Sequence, residues 1–267
     1  MDCDAWNLMT NWDLVLPPSR PSALQLARIQ DQITDVDRNS PVAVLGSTPE
    51  FRDLLFEAGF KQIYIFERNQ RFLTAMSNLR IYDNPERVID GDWLATLSRF
   101  ENTFSLILSD LTSGNIPYDD RATFYDSISR ALSNGGLFSD KVLTHPGPHI
   151  PLRRIIDEFA GLPLNLFYAN RFSCEALFCS DLLDIGQIVD SSRFYELLDD
   201  RIKQPRVRAF AKYARSITPP GLMWWYGRQW HELERSYCRR LAVVVADDDE
   251  PSSPYYGRLK NFLHVKR

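Results

Sequence analysis

The sequence lacks both glycine-rich loops that commonly cradle phosphate groups. Only 12 of its 267 residues are glycine, and neither G-x-G-x-x-G nor G-x-x-x-x-G-K-[ST] occurs. These motifs bring a pyrophosphate or a triphosphate onto the N-terminus of a helix. We therefore expect neither a dinucleotide nor a nucleoside triphosphate as a ligand.

Other absences narrow the class of protein further. The net charge is −4 and the pI is near 5.6, which gives no basic footprint for a nucleic acid. The four cysteines form no C-x-x-C pair, so we expect reduced thiols and no metal site. No apolar run approaches the length of a membrane span, and the acidic N-terminus lacks the basic region of a secretory signal. We expect a cytoplasmic protein that uses neither nucleic acid nor membrane.

Apolar runs alternate with helical patterns along the first half of the chain. The strand-like runs are VAVLG, KQIYIFE, ERVIDGDW, FSLILSDL and LFSDKVL. Helical spacing follows the first two runs, and RATFYDSISRALSNGG reads as a further helix with a glycine stop. This alternation predicts an α/β fold, with a mostly parallel sheet and helices on both of its faces. For the first helix, the pattern predicts a cap at Thr48, Pro49 in the first turn and a stop at Gly59.

The second half of the chain suggests an insertion and then a return to the sheet. The proline-rich HPGPHIP and the PPG at 219–221 bracket short helical pieces. LMWWYGRQWHELERSY reads as another helix, and RLAVVVAD and LKNFLHVKR read as the last two strands. We predict an N-terminal segment (1–40), an α/β core (41–144), a helical insertion (145–221) and a final helix with two strands (222–267).

One glycine and one glutamate mark the ends of the first two strands. Gly46 follows VAVL, and Glu67 ends the next strand 21 positions later (67 minus 46). In open parallel sheets the ligand lies at this edge, where an acidic residue about 20 positions after the first loop accepts hydrogen bonds from ribose hydroxyls. A ribose site without a phosphate cradle indicates a nucleoside cofactor without phosphates, which points to S-adenosylmethionine.

The order of these segments resembles the class I S-adenosylmethionine-dependent methyltransferases. The resemblance rests on VLGSTPEFRDLL, IYIFERN, ERVIDGDWL, FSLILSDL and LSNGGLFSDKVL. It covers Trp12 to about Leu143 well and the last two strands loosely. It is greatest to a bacterial subgroup with a PP-x-R-P segment, here Pro17 to Pro21, and a G-[AS]-T-P-E first loop. The resemblance implies a Rossmann-like methyltransferase fold with a seven-stranded sheet and a helical insertion. It makes 41–144 the cofactor-binding core, 1–40 an N-terminal helical lid segment and 145–221 a helical substrate lid.

The resemblance also implies a set of cofactor contacts. The first loop would lie against the methionine part and the ribose, Glu67 would hold the ribose diol, and the end of the fourth strand would face the reacting methyl. Arg68 and Trp93 would flank the adenine, whose amino group Asp92 would read, and Arg20 would meet the cofactor's carboxylate. The implied cofactor residues are Arg20, Gly46, Ser47, Thr48, Glu67, Arg68, Asp92, Trp93, Ser109, Asp110 and Leu111.

Each assignment has an ordinary structural alternative. Gly46 can be a tight turn, Glu67 a solvated strand end, and Arg20 half of a surface ion pair. Asp110 and His145 are the candidates for acid-base work on the acceptor, with His149 behind them, although loop histidines are usually only solvated. For two groups of residues the sequence leaves the role open: they either pack or face solvent, or they contact the substrate. They are the aromatic cluster Trp224, Trp225, Tyr226, Trp230 and the basic stretch Arg201, Arg206, Arg208, Lys212, Arg215.

The resulting hypothesis is a methyltransferase that acts on an oxygen or nitrogen of a small-molecule or natural-product acceptor and releases S-adenosylhomocysteine. The alternative is an S-adenosylmethionine-binding module without turnover, acting as a sensor or partner subunit. An aminopropyl transferase is disfavoured, because SDLTSGNIP at the end of the fourth strand has a single acid. The oligomeric state stays open.

Overall fold

The computed structural model describes residues 12, 15–17, 19–143, 150–179, 181–182, 188–225, 240–248 and 259–267, without the side chains of 245–248. The helices are α1 (Ala23–Gln32), α2 (Pro49–Glu57), α3 (Gln70–Ser77), α4 (Trp93–Leu97), α5 (Arg121–Ala131), α6 (Leu152–Gly161), α7 (Leu166–Leu177), α8 (Ser191–Arg201) and α9 (Pro205–Ile217). The strands are β1 (Val42–Leu45), β2 (Ile63–Glu67), β3 (Arg87–Asp90), β4 (Phe104–Asp110), β5 (Leu132–Leu143), β6 (Ile188–Asp190), β7 (Met223–Trp225), β8 (Leu241–Asp248) and β9 (Leu259–Lys266).

Seven of these strands form one sheet in the order β3-β2-β1-β4-β5-β9-β8. The first five strands are parallel, whereas β9 runs antiparallel to both β5 and β8. Residues of α1, α2 and α3 cover one face of the sheet, and residues of α4 and α5 cover the other. The predicted seven-stranded, mostly parallel sheet with helices on both faces is therefore confirmed.

The β1 to β2 unit follows the expected local chemistry, with one exception. All four residues of β1 and all five of β2 are buried, as in a parallel strand covered on both faces. Pro49 occupies the first turn of α2, and Gly59 follows its end with φ +88°. Thr48 lies at the N-cap position, but its side chain makes no capping hydrogen bond, so the predicted side-chain cap is wrong.

The predicted glycine stop of α5 is also wrong. The helix ends at Ala131, and β5 begins at the next residue and runs through both Gly135 and Gly136. The pairing of β4 with β5 shifts register between Phe104 and Leu106, which places the glycines at an irregularity in the strand. A Cβ on Gly136 would lie 2.8 Å from the carbonyl oxygen of Ser133. Gly136 therefore serves close backbone packing inside the strand, whereas Gly135 supplies a φ of +74°, and neither glycine ends the helix.

Between β5 and β8, the described residues form a mainly helical lobe, α6 to α9. Its core includes Phe159, Phe172 and Phe210, whose ring centroids lie 5.2 to 5.7 Å apart. The lobe also contains a two-stranded antiparallel sheet of β6 and β7. Met223–Trp225 is therefore a strand, which corrects the helix predicted from LMWWYGRQWHELERSY over those three residues; the rest of that stretch lies outside the described residues.

Two features of the lobe bear on the open questions. Trp224 is half-buried and packs against the lobe core, which fits the packing interpretation of that residue, whereas Tyr226 and Trp230 lie outside the described residues. Leu111, which follows β4, packs against the same core. The lobe therefore contacts the carboxyl end of the sheet.

Among the described residues, no helix has the length and apolar character needed to cross a bilayer.

Candidate active site

The first loop turns sharply at Gly46. Its backbone has φ +88°, a conformation that residues with a Cβ rarely adopt. Its N–H donates to the carbonyl of Phe66 at 2.9 Å, which holds the loop against the end of β2. A Cβ built on Gly46 would meet nothing within 4 Å. The turn therefore requires glycine for its φ angle, and the space beside it is open.

Glu67 lies at the end of β2, next to this turn. Its side chain is buried, with 6% of the residue exposed, and its Oε1 accepts a hydrogen bond from the backbone N–H of Asn69 at 2.8 Å. Burial raises the pKa of Glu67, while hydrogen bonds from the backbone N–H groups of Asn69 and Arg68 oppose that rise. A buried carboxylate with capacity to accept further hydrogen bonds suits the hydroxyl groups of a sugar.

Three residues predicted to surround an adenine lie together after β2 and β3. Asp92 caps α4 by accepting from the N–H of Leu94 at 3.0 Å, and its other oxygen pairs with Arg68 at 3.1 Å. The Trp93 indole N–H donates to the Phe66 carbonyl at 2.9 Å, which fixes the ring beside the end of β2. The Arg68 side chain is 73% exposed. The structure thus brings Arg68, Asp92 and Trp93 to the edge that carries Glu67.

The end of β4 carries a buried ion pair that the sequence patterns did not reveal. Asp110 Oδ1 lies 2.6 Å from the Nζ of Lys141 in β5, and both side chains are largely buried. The next residue, Leu111, has φ +58°, and its N–H donates to the Lys141 carbonyl. Backbone in this region is uncommon for a residue with a branched side chain and concentrates at functional sites. Ser109 is buried one position earlier.

A second buried carboxylate, Asp140, pairs in register with Ser109. Only 1% of Asp140 is exposed, and burial raises its pKa to about 8. The Arg121 guanidinium, which donates to the carbonyls of Ile116 and Trp225, lowers that pKa electrostatically. Asp140, Lys141 and Arg121 were not among the predicted site residues. The signal that could have identified the first two is an Asp-Lys pair inside the mostly apolar strand LFSDKVL.

The N-terminal segment lies across the start of α2. Arg20 pairs with Glu50 at 2.5 Å, and the Trp12 indole N–H donates to the same carboxylate at 3.0 Å. The Nζ of Lys141 lies 3.4 Å from the Arg20 carbonyl, and the Leu16 N–H donates to the side chain of Asn170 in α7 at 3.1 Å. The segment therefore bridges α2, β5 and the lobe. The Arg20 guanidinium is held by Glu50. This is the ion-pair alternative to contact with the cofactor's carboxylate.

His145 and His149 lie outside the described residues. Among the residues that the structure describes, no group of three or more His, Cys, Asp or Glu side chains is placed to hold a metal ion. The remaining predicted positions, Ser47 and Thr48, lie between Gly46 and α2, and Ser47 is buried.

Comparisons with known proteins give structural likeness without sequence likeness. No family model and no curated protein matches the sequence. Among solved structures, an S-adenosylmethionine-dependent methyltransferase from Mesorhizobium loti matches with a TM-score of 0.52 at 14% identity, over 92% of this chain and 98% of the other. The glycopeptide N-methyltransferase MtfA, complexed with S-adenosylhomocysteine, matches with 0.51 at 12% identity, over 91% and 89%. The chain has the Rossmann-like methyltransferase fold.

A third similar structure has a different name. A Rhodobacter sphaeroides protein, provisionally named a Zn-dependent alcohol dehydrogenase, matches with a TM-score of 0.61 at 15% identity, over 98% of this chain and 97% of the other. At such identity this likeness speaks to the fold alone. The strand order 3-2-1-4-5 also occurs in dinucleotide-binding folds. Here the sheet continues with β9, which runs antiparallel and lies between β5 and the edge strand β8.

Proposed function

We propose that the protein is an S-adenosylmethionine-dependent methyltransferase that modifies an oxygen or nitrogen of a small-molecule or natural-product acceptor. One observation carries the proposal. The buried Glu67 carboxylate retains hydrogen-bonding capacity beside the open Gly46 turn, at the edge of the sheet where such folds bind ligands. The structural likeness to methyltransferases, one of them named for a glycopeptide acceptor, supports the choice of cofactor and the class of acceptor.

The residues at the edge of the sheet fit this cofactor. Glu67 would accept hydrogen bonds from the ribose diol, and Gly46 lets the ligand approach the backbone closely. Trp93 would flank the adenine, since its indole is fixed beside the end of β2. The cofactor supplies a sulfonium methyl group, which the acceptor nucleophile takes, and S-adenosylhomocysteine is left.

The chain's own contribution to the rate would be mainly positional. Holding two reactants in attack geometry can supply roughly 7 to 11 kcal/mol, and the lobe, which contacts Leu111, would roof the acceptor and exclude water. Lys141 holds Asp110 in an ion pair, so Asp110 would orient groups by charge and not act as a free base. His145 is then the candidate base to substitute first.

A binding module without turnover is the second candidate. The observation that favours it is that two ion pairs beside the proposed site are closed within the protein. Asp110 pairs with Lys141, and Arg20 pairs with Glu50. A sensor uses these side chains only to bind the cofactor, whereas an enzyme also has to hold a methyl acceptor beside them.

Calorimetry and product analysis separate these possibilities. We expect S-adenosylmethionine and S-adenosylhomocysteine to bind and NAD not to bind, with or without added zinc. A preference for NAD would overturn the proposal and favour dehydrogenase chemistry. Cofactor binding with no S-adenosylhomocysteine formed, across panels of hydroxylated and amino acceptors, would favour the binding module.

A further inference from the structure

A groove opens on the lobe between α7 and α9, away from the residues assigned to the cofactor. Its volume is about 480 Å³, within the range typical of small-molecule sites. The walls are mostly apolar and are formed by Leu164, Leu166, Ala169 and Ala209. Leu164, at the mouth, is 56% exposed. Small alanines facing each other across two helices leave room between them for an apolar guest.

The helix α9 contributes one continuous face to the groove. Ala209, Lys212, Tyr213 and Ser216 line it, and their spacing of three, four and seven positions places them on the same side of a helix. The Tyr213 hydroxyl accepts a hydrogen bond from the Asn170 side-chain amide at 2.7 Å. This contact ties the Tyr213 side chain to α7, so both walls of the groove are held together.

The polar lining has one sign of charge. Lys212 is exposed and forms no ion pair among the described residues, and the lining includes no acidic side chain. Arg206, six positions earlier on α9, donates to the Leu162 carbonyl beside Leu164 and adds a second cation at that end. Of the acids near the other wall, Glu158 and Glu175 both pair with Arg171. The groove therefore joins an apolar floor to an unneutralised cation.

We propose that the groove between α7 and α9 binds a small amphipathic acid, with its apolar body against Leu166, Ala169 and Ala209 and its carboxylate at Lys212. The charge selects an anion over a neutral or cationic molecule, and the apolar floor selects an acyl or aryl body. Binding here does not require that the protein transfers methyl groups.

Three probes of equal chain length test the proposal by calorimetry at concentrations below micelle formation. They are decanoate, 1-decanol and decylamine. We expect decanoate to bind best and decylamine worst. Lys212→Gln should weaken decanoate about threefold to tenfold, because it removes a partly exposed charge-assisted contact, and should leave 1-decanol within about twofold. Lys203→Gln, which removes an exposed lysine outside the groove, is the matched control and should change nothing.

Ala209→Phe tests the floor of the groove. The added ring should reduce the affinity for both decanoate and 1-decanol at least about tenfold, since it fills the space that the chain would occupy. If this variant does not fold, the Lys212→Gln comparison decides alone. The proposal is overturned if decanoate does not bind, if decylamine binds as well, or if neither substitution matters. It is equally overturned if the protein binds only to phosphatidylglycerol vesicles, or if the groove is instead closed by self-association that Ala209→Phe abolishes.

Discussion

Glu67 and Asp110 are carboxylates at the ends of two parallel strands on either side of β1, yet their surroundings differ in charge. Glu67 has a backbone N–H as its hydrogen-bond partner and a pKa raised by burial. Asp110 has the Lys141 ammonium at 2.6 Å. The hydrogen-bond donors to Glu67 are thus uncharged backbone groups, with the Arg68 charge as a smaller influence, whereas Asp110 is neutralised directly by a buried lysine.

Glu67 and Asp110 occupy equivalent positions at strand ends, but the difference in their partners suits them to different roles. A carboxylate among uncharged donors can accept hydrogen bonds from neutral hydroxyls, which is what a ribose offers. A carboxylate paired with lysine in a buried site is a fixed dipole, and removal of one partner leaves a buried charge. In the proposed function, Glu67 is therefore the residue that recognises the ligand, whereas Asp110 and Lys141 set the shape and charge of the neighbouring strand ends.

The largest expected effect comes from breaking the buried pair. Lys141→Met should lower the free energy of unfolding by about 3 to 5 kcal/mol, because Asp110 would be left uncompensated. The double variant Lys141→Met with Asp110→Leu should recover most of this loss. Urea unfolding measures both, with Lys203→Met as an exposed-lysine control expected within about 0.5 kcal/mol of the parent. If Lys141→Met is as stable as the parent, loss of the lysine does not leave a costly buried charge at Asp110, and the prediction is wrong.

The second expected effect concerns Asp140, which faces a different electrostatic environment from Glu67. Its folded-state pKa of about 8 exceeds the ordinary value of 3.8, so the folded protein holds this proton more tightly than the unfolded chain. The associated stability is fully present below the ordinary value and is lost as the pH rises towards 8. Asp140→Asn cannot lose a proton, so its stability relative to the parent should grow with pH over that window, by up to about 1.4 kcal/mol per pH unit. Urea unfolding of both proteins at several pH values measures this difference in the free energy of unfolding. A difference that does not change with pH would show that Asp140 is already ionised in the folded protein.

The smallest expected effect tests the bridge at Arg20. If its guanidinium also meets the cofactor's carboxylate, Arg20→Gln should weaken S-adenosylhomocysteine about threefold to tenfold. Glu50→Gln should cost less affinity, since it releases Arg20 without removing it. Equal losses in the two variants would assign Arg20 to the ion pair alone.

Sequence periodicity predicted the sheet because β1 is a continuous apolar run and β2 and β4 are mostly apolar, so that their burial follows from composition. It failed at the boundary between α5 and β5, because Gly135 and Gly136 mark a strand irregularity that depends on pairing with β4. It failed at Met223–Trp225 for a similar reason, since β7 forms only by pairing with β6. The ion pair of Asp110 with Lys141 joins neighbouring strands 31 positions apart (141 minus 110), and no local pattern reports such a contact.

The most direct measurement of the proposed function is the S-adenosylhomocysteine affinity of Glu67→Ala and Glu67→Gln, beside Asp90→Ala, which removes the exposed carboxylate at the paired end of β3. Loss of charge-assisted hydrogen bonds worth about 1.5 to 3 kcal/mol predicts a tenfold to hundredfold loss for Glu67→Ala. Glu67→Gln should lose less, and Asp90→Ala should change affinity little, with melting temperatures close to the parent in all three. Unchanged affinity in Glu67→Ala at unchanged stability would show that this glutamate only ends a strand, and would contradict the proposed cofactor site.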